Sequence, residues 1–216
     1  RLLDEKELLV GEVHHRVKNN LALISGFLQL DQMDLGIKDR DEIISANILR
    51  IKSIAIIHEL VYELGNFSDI SVSETVKKVL IVSFIQERIQ DVQVNITTSN
   101  KGIKFNINQA VPLSLLLSEM IFEIFRFKGD KKYKPAEELR VNIFQDDVNI
   151  RINLIDKELA RVADLLLKEN DQNFSEIFNV LAKQLGASIE ISRNRESVII
   201  GFEYRDVKGS SSALTK

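Results

Sequence analysis

Apolar residues recur at helical spacing through the first third of the chain. Over residues 1–34, Leu9, Val13, Val17, Ile24, Phe27 and Leu28 fall within about a third of a turn, which predicts one long helix with a buried stripe. Asp4, Glu5 and Glu7 near its start suit the positive end of the helix dipole, and Gly36 marks a stop. A second helix is predicted over 41–64, apolar at Ile43, Ile44, Ile48, Ile51, Ile54, Ile57, Val61 and Leu64, with Gly65-Asn66 as its end. Two helices joined by a short turn form a hairpin. Their apolar faces are too wide for one partner helix to cover, so a four-helix bundle made by two chains is expected.

The pattern changes after Gly65. Ser71-x-x-Glu74 is a capping-box signature for a helix to about Ile89. Val92, Val94 and Ile96 alternate with polar residues as a half-buried strand does, and the turn Asn100-Lys101-Gly102 precedes a strand over 103–107. Pro112 is expected in the first turn of a helix that runs to about Phe127, followed by a charged loop over 129–135. Segments 139–144 and 148–155 alternate around Asp146-Asp147 and predict a hairpin. Helices are predicted over 157–168 and 175–185, the second closed by Gly186, before a last hairpin from 189–192 and 198–204. The fold class is therefore α plus α+β: a helical-hairpin dimerisation domain over 1–66, then helices on an antiparallel sheet over 67–207. Residues 208–216 read as a polar, disordered tail.

Composition narrows the function classes. The chain has 216 residues, 44% hydrophobic and 28% charged, enough for a sizeable core. A net charge of −3 argues against nucleic-acid binding, and the absence of cysteine rules out disulfides and thiolate metal sites. No bound metal is expected. No apolar run approaches the roughly 18 residues that a membrane span needs, so no membrane segment is expected in this chain and a cytoplasmic location is. Arg1 is not a natural start, so an upstream region is expected as well.

The chemistry concentrates in EVHHRVKNNLALISGFLQL, residues 12–30. At about 100° per residue, His14 lies roughly 80° from the centre of the buried stripe and His15 about 180° away, on the solvent side. One turn from His15 are Gly11, Lys18 and Asn19, with Ala22 two turns away and Gly26 further along the same face. Each surface glycine costs about 1 kcal/mol in a helix, so two on one face call for a reason. The pattern fits equally a surface histidine beside chance glycines and a nucleophile presented to another protein. His58, beside the apolar stripe of the second helix and without a metal-spaced companion, reads as structural.

Residues 12–30 resemble the phosphoacceptor box of sensor histidine kinases of the second HisKA class, relatives of the HWE kinases. The similarity continues into RIKSIAIIHELVYEL (50–64), including His58 and Tyr62. The resemblance implies that His15, which precedes Arg16-Val17-Lys18-Asn19, accepts a phosphoryl group. Lys18 is placed to offset its charge, Asn19 to orient it, and Arg16 to contact a partner. Gly11, Ala22 and Gly26 form the docking floor.

Such kinases follow the hairpin with an ATP-binding α/β sandwich, and here that layer looks degenerate. Residues 111–128 lie where the family has its asparagine-bearing helix. Glu119 is retained and Arg126 is a basic substitute, but the asparagines fall on Ser118 and Glu123, the latter at the magnesium-ligand position. In LIDKELA (154–160), Asp156 matches the adenine-reading carboxylate, while Glu158 and Ala160 replace the glycines of an Asp-x-Gly-x-Gly box. Backbone approaches a triphosphate closely only where side chains are absent, and no glycine lies between Gly129 and Gly186. Glu123 retains the capacity to ligate a metal.

The expectation is a histidine phosphotransferase that relays a phosphoryl group between response-regulator receiver domains through His15. It would act as a homodimer, without ATP or a cofactor of its own, using magnesium supplied with the receiver. An ATP-dependent kinase, a receiver-binding module that is never phosphorylated, and a dimerisation scaffold are the alternatives.

Overall fold

The computed structural model describes residues 18–32, 40–65, 67–89, 91–99, 102–127, 133–169, 175–192, 194 and 196–205. The first part of the predicted first helix, most of the 129–135 loop and the 208–216 tail lie outside them. The chain forms two compact units, 1–51 and 52–216, so the division falls inside the second helix rather than where the composition changes at Gly65.

In the first unit, helix α1 covers 18–32 and α2 (Arg40–Leu64) begins. Phe27, Ala46 and Leu49 are buried, with a polar cluster among them. Arg50 forms an ion pair with Asp31, both side chains almost fully buried, and its guanidinium lies 5.4 Å from the centre of the Phe27 ring. Asn47 donates to Asp31 at 2.9 Å and accepts from Arg50 at 3.1 Å. The buried charges are thus paired and hydrogen-bonded, the condition under which such a group is tolerated in a core. Leu28, expected inside, is 49% exposed, and Leu21, Ile44, Ile48 and Ile51 are exposed as well. The apolar stripes exceed what the two helices of one chain cover.

The second unit takes the rest of α2, which ends on Gly65 in the left-handed region (φ 66°). It continues with β1 (Ile70–Ser71), α3 (Val72–Gln86), β2 (Gln93–Thr98), β3 (Lys104–Phe105) and α4 (Ile107–Arg126). Then follow β4 (Glu138–Asp146), β5 (Asn149–Ile155), α5 (Lys157–Glu169), α6 (Glu176–Leu185), β6 (Ser188–Ile191) and β7 (Ser197–Glu203). The five-stranded sheet has the order β2-β4-β5-β7-β6. Ser71 caps α3 by accepting from the Glu74 amide at 3.3 Å, as the capping-box spacing predicts.

Three expectations need correction. The sheet is mixed rather than antiparallel, because β2 pairs parallel to β4. The strand expected over 103–107 shrinks to Lys104–Phe105, which pairs with β1, since Ile107 already opens α4. Pro112 accordingly lies inside α4 rather than in its first turn, Asn106 taking the N-cap position.

Strand alternation sets the two faces of the sheet. Leu139, Val141, Ile143, Ile150, Ile152, Leu154, Val198, Ile200 and Phe202 are buried, whereas Arg140, Phe144 and Arg151 between them are exposed. Helix α4 packs between α3 and α6 and is buried nearly around its circumference, with Leu113, Leu115, Leu116 and Leu117 fully inaccessible. Each such leucine contributes about 2 kcal/mol by burial. This helix is long and apolar enough to cross a membrane by composition alone, contrary to the expectation that no segment approaches that length. Its burial accounts for that character: 89% of the apolar window lies inside the unit.

Candidate functional site

His15, Gly11 and Arg16 lie outside the described residues. The face that continues from them is described from Lys18 onward. Lys18, Asn19 and Ala22 are exposed, while Asn20 and Phe27 turn into the core. Gly26 is half-buried, and a Cβ built there would meet no other atom within 4 Å. Glycine at that position therefore leaves open room beside the helix without answering a packing constraint. His58 is half-buried, and desolvation lowers its pKa below the ordinary histidine value, so it is neutral at pH 7.

Asp156 is 8% exposed. One carboxylate oxygen accepts from the Leu159 amide at 2.9 Å, and the Asp156 carbonyl accepts from the Ala160 amide at 2.9 Å. Asp156 is thus the N-cap of α5. The other carboxylate oxygen accepts from the Tyr133 hydroxyl at 3.3 Å and from the Ala136 amide at 3.4 Å. Burial, then the charge and hydrogen bond of Asp156, raise the Tyr133 pKa far above its ordinary value, so Tyr133 remains a donor at any physiological pH.

Where a glycine box would leave the backbone bare, α5 runs as a regular helix. Leu159 and Ala160 are fully buried, and α5 packs on α4 and β7. Glu158 is 47% exposed at its side chain and pairs with Arg161 of the same helix at 2.8 Å. On α4, the Ser118 hydroxyl is fully buried and donates to the Leu115 carbonyl at 2.9 Å. Glu119 is buried and Glu123 half-buried. Arg126 is drawn to Glu87 at 3.3 Å and lies 4.9 Å from the centre of the Phe122 ring. Asp156 and Glu158 share a groove, but Ser118, Glu119 and Glu123 are not among its walls. Sequence reasoning missed Tyr133 and the Asp31–Asn47–Arg50 cluster. The available signals were an aromatic residue in a charged loop and charged residues on helix faces that are otherwise apolar.

The HisKA_2 family profile, described as histidine kinase, matches residues 12–89. The sensor histidine kinase PdtaS of Mycolicibacterium smegmatis is 23% identical over 133 residues, 61% of this chain and 26% of its own length. PdtaS of Mycobacterium tuberculosis is 23% identical over 122 residues, 56% of this chain and 24% of its own length. The match thus spans about a quarter of these curated relatives. Among solved structures, the histidine kinase domain of the Erythrobacter litoralis EL346 blue-light activated histidine kinase superposes with a TM-score of 0.55 at 13% identity. That superposition covers 83% of this chain and 82% of that one. A longer structure of the EL346 kinase gives 0.55 at 16% identity, covering 90% and 61%. At these identities the likeness is one of fold: a helical part followed by an ATPase-like α/β domain.

Proposed function

We propose that the chain, whose residues 12–89 match the HisKA_2 histidine kinase family model, acts as a histidine phosphotransferase in two-component signalling. A response-regulator receiver domain presents its aspartyl phosphate with bound magnesium. An imidazole nitrogen of His15 attacks phosphorus, the P–O bond breaks, the N–P bond forms and the receiver carboxylate leaves; the reverse step delivers the group to a second receiver. Neutral imidazole already dominates near pH 7, so the protein's task is to present and position the ring. Lys18 offsets the incoming charge, Asn19 orients the group, and Ala22 and Gly26 leave space for the receiver.

The observation that carries this reading is the engagement of Asp156. Its carboxylate caps α5 and holds Tyr133 and Ala136, and α5 runs as a helix directly after it. On this reading the phosphoryl group arrives from a protein rather than from ATP. The exposed Leu21, Leu28, Ile44, Ile48 and Ile51 support a homodimer in which a second hairpin covers them. A cytoplasmic location follows from the same reading.

The second reading is an ATP-dependent kinase that autophosphorylates on His15, favoured by the sensor kinases among the relatives. Label transfer tests the proposal. Label from a phosphorylated receiver should move to the wild-type chain and not to His15→Ala. A wild-type chain that stays unlabelled across a panel of receivers rejects the relay.

A further inference from the structure

Helix α1 has two stripes that could face α2, and one of them is buried. At about 100° per residue, Asn20, Phe27 and Asp31 fall within about 40° of one another, and all three are buried, with Ile24 half-buried beside them. Leu21 and Leu28 lie about 90° round the helix and are exposed. Lys18 and Ala22 each lie about 160° from the buried line, on either side of its opposite pole, and are exposed too. Apolar area does not separate the two stripes, since Ile24 and Phe27 on one balance Leu21 and Leu28 on the other. On α2, Ile44, Ile48 and Ile51 stay exposed while Ala46 and Leu49 are buried. Something other than hydrophobicity therefore selects the seam.

Polar matching does. Asp31 pairs with Arg50, and Asn47 bridges them, donating to Asp31 at 2.9 Å and accepting from Arg50 at 3.1 Å. The Asn47 amide nitrogen also donates to the Ile43 carbonyl at 2.9 Å, which fixes the bridge to α2. The Arg50 guanidinium lies over the Phe27 ring, one turn from Asp31 on the same side of α1. Turning α1 by about 90° to bring Leu21 and Leu28 onto α2 would leave that guanidinium buried without its carboxylate, a penalty that exchanging one apolar pair for another does not offset. The same turn would carry Lys18 from the far pole to about 70° from the seam.

We infer that the Asp31–Asn47–Arg50 cluster is a positioning device: it fixes the rotational setting of α1 on α2 and so holds the Lys18–Ala22 side of the phosphoacceptor box toward solvent. Polar residues at core positions of helical seams select register in this way, at a cost in stability. Asp31 and Arg50 act through the helix and do not touch the phosphoryl group. The consequence for transfer rests on the phosphotransferase reading; the rotational claim does not.

The chain has no cysteine, so a thiol placed in α1 reports its own surroundings alone. Ala22→Cys, on the open face, and Ile24→Cys, beside the buried line, are made in the full chain with and without Asp31→Leu/Arg50→Met, and their maleimide labelling rates are compared. With the cluster intact, position 22 should react at least about tenfold faster than position 24. In the double variant that ratio should fall about fivefold or more as α1 samples further settings, at a melting temperature no lower than with the cluster intact. Without the thiols, transfer from a phosphorylated receiver should slow about tenfold or more in the double variant. If the double variant does not fold, Asn47→Ala, which spares the ion pair, should lower the ratio by about twofold or more. An unchanged ratio overturns the inference, as does a lowered ratio with transfer at the wild-type rate. A wild-type chain that takes no label from any receiver rejects the relay instead, and the thiol ratio then decides the rotational claim by itself.

Discussion

The Tyr133 hydroxyl donates to the Asp156 carboxylate across 3.3 Å, and the same carboxylate caps α5 through the Leu159 amide at 2.9 Å. This one carboxylate therefore holds a loop and a helix together.

Replacing Asp156 should therefore register as a loss of stability. Asp156→Ala removes a helix cap and leaves buried donors unsatisfied, for a cost of about 2 kcal/mol in urea denaturation. Transfer of phosphoryl from a receiver to His15 should be unaltered at a temperature where the variant is folded. A variant as stable as wild type would mean that the carboxylate is not a structural element.

Tyr133 predicts a pH dependence. Its folded pKa lies above the ordinary 10.0, so its contribution is fully present below that value and is lost as pH rises beyond it, because the unfolded chain then releases a proton that the folded one retains. Wild-type stability should fall on the alkaline side more steeply than that of Tyr133→Phe, which at neutral pH should be about 1 kcal/mol less stable. Parallel alkaline limbs for the two proteins would contradict the assignment.

The hairpin offers a double-mutant test. Asp31→Leu or Arg50→Met alone leaves a charge buried without its partner and should cost about 3–5 kcal/mol. Asp31→Leu combined with Arg50→Met should restore stability to at least the wild-type level, because the desolvated charges disappear together. Additive losses from the two sites would show that the pair is not the source of the effect.

Local chemistry was legible in the sequence wherever it was self-contained. The Ser71 cap, the Gly65 and Gly186 stops and the β4–β5 hairpin around Asp147 all follow from short-range rules, and Gly186 does adopt the left-handed region (φ 70°). What depends on distant partners was not legible. The parallel pairing of β2 with β4 and the diversion of Lys104–Phe105 to β1 are set by tertiary packing. Pro112 was misplaced because a proline prior cannot see that Asn106 already starts the helix. At the candidate site, the missing glycines told correctly that residues 157–160 carry side chains, but not that Asp156 itself would be drawn into the cap.

The account stands or falls on the source of the phosphoryl group at His15. The direct measurement is the intact mass and site of phosphorylation of the purified chain after incubation with magnesium and ATP, and separately with a phosphorylated receiver domain. The account predicts phosphohistidine at His15 from the receiver alone. Phosphohistidine formed from ATP in the wild type and abolished in Asp156→Asn would contradict it, and would return that carboxylate to the nucleotide.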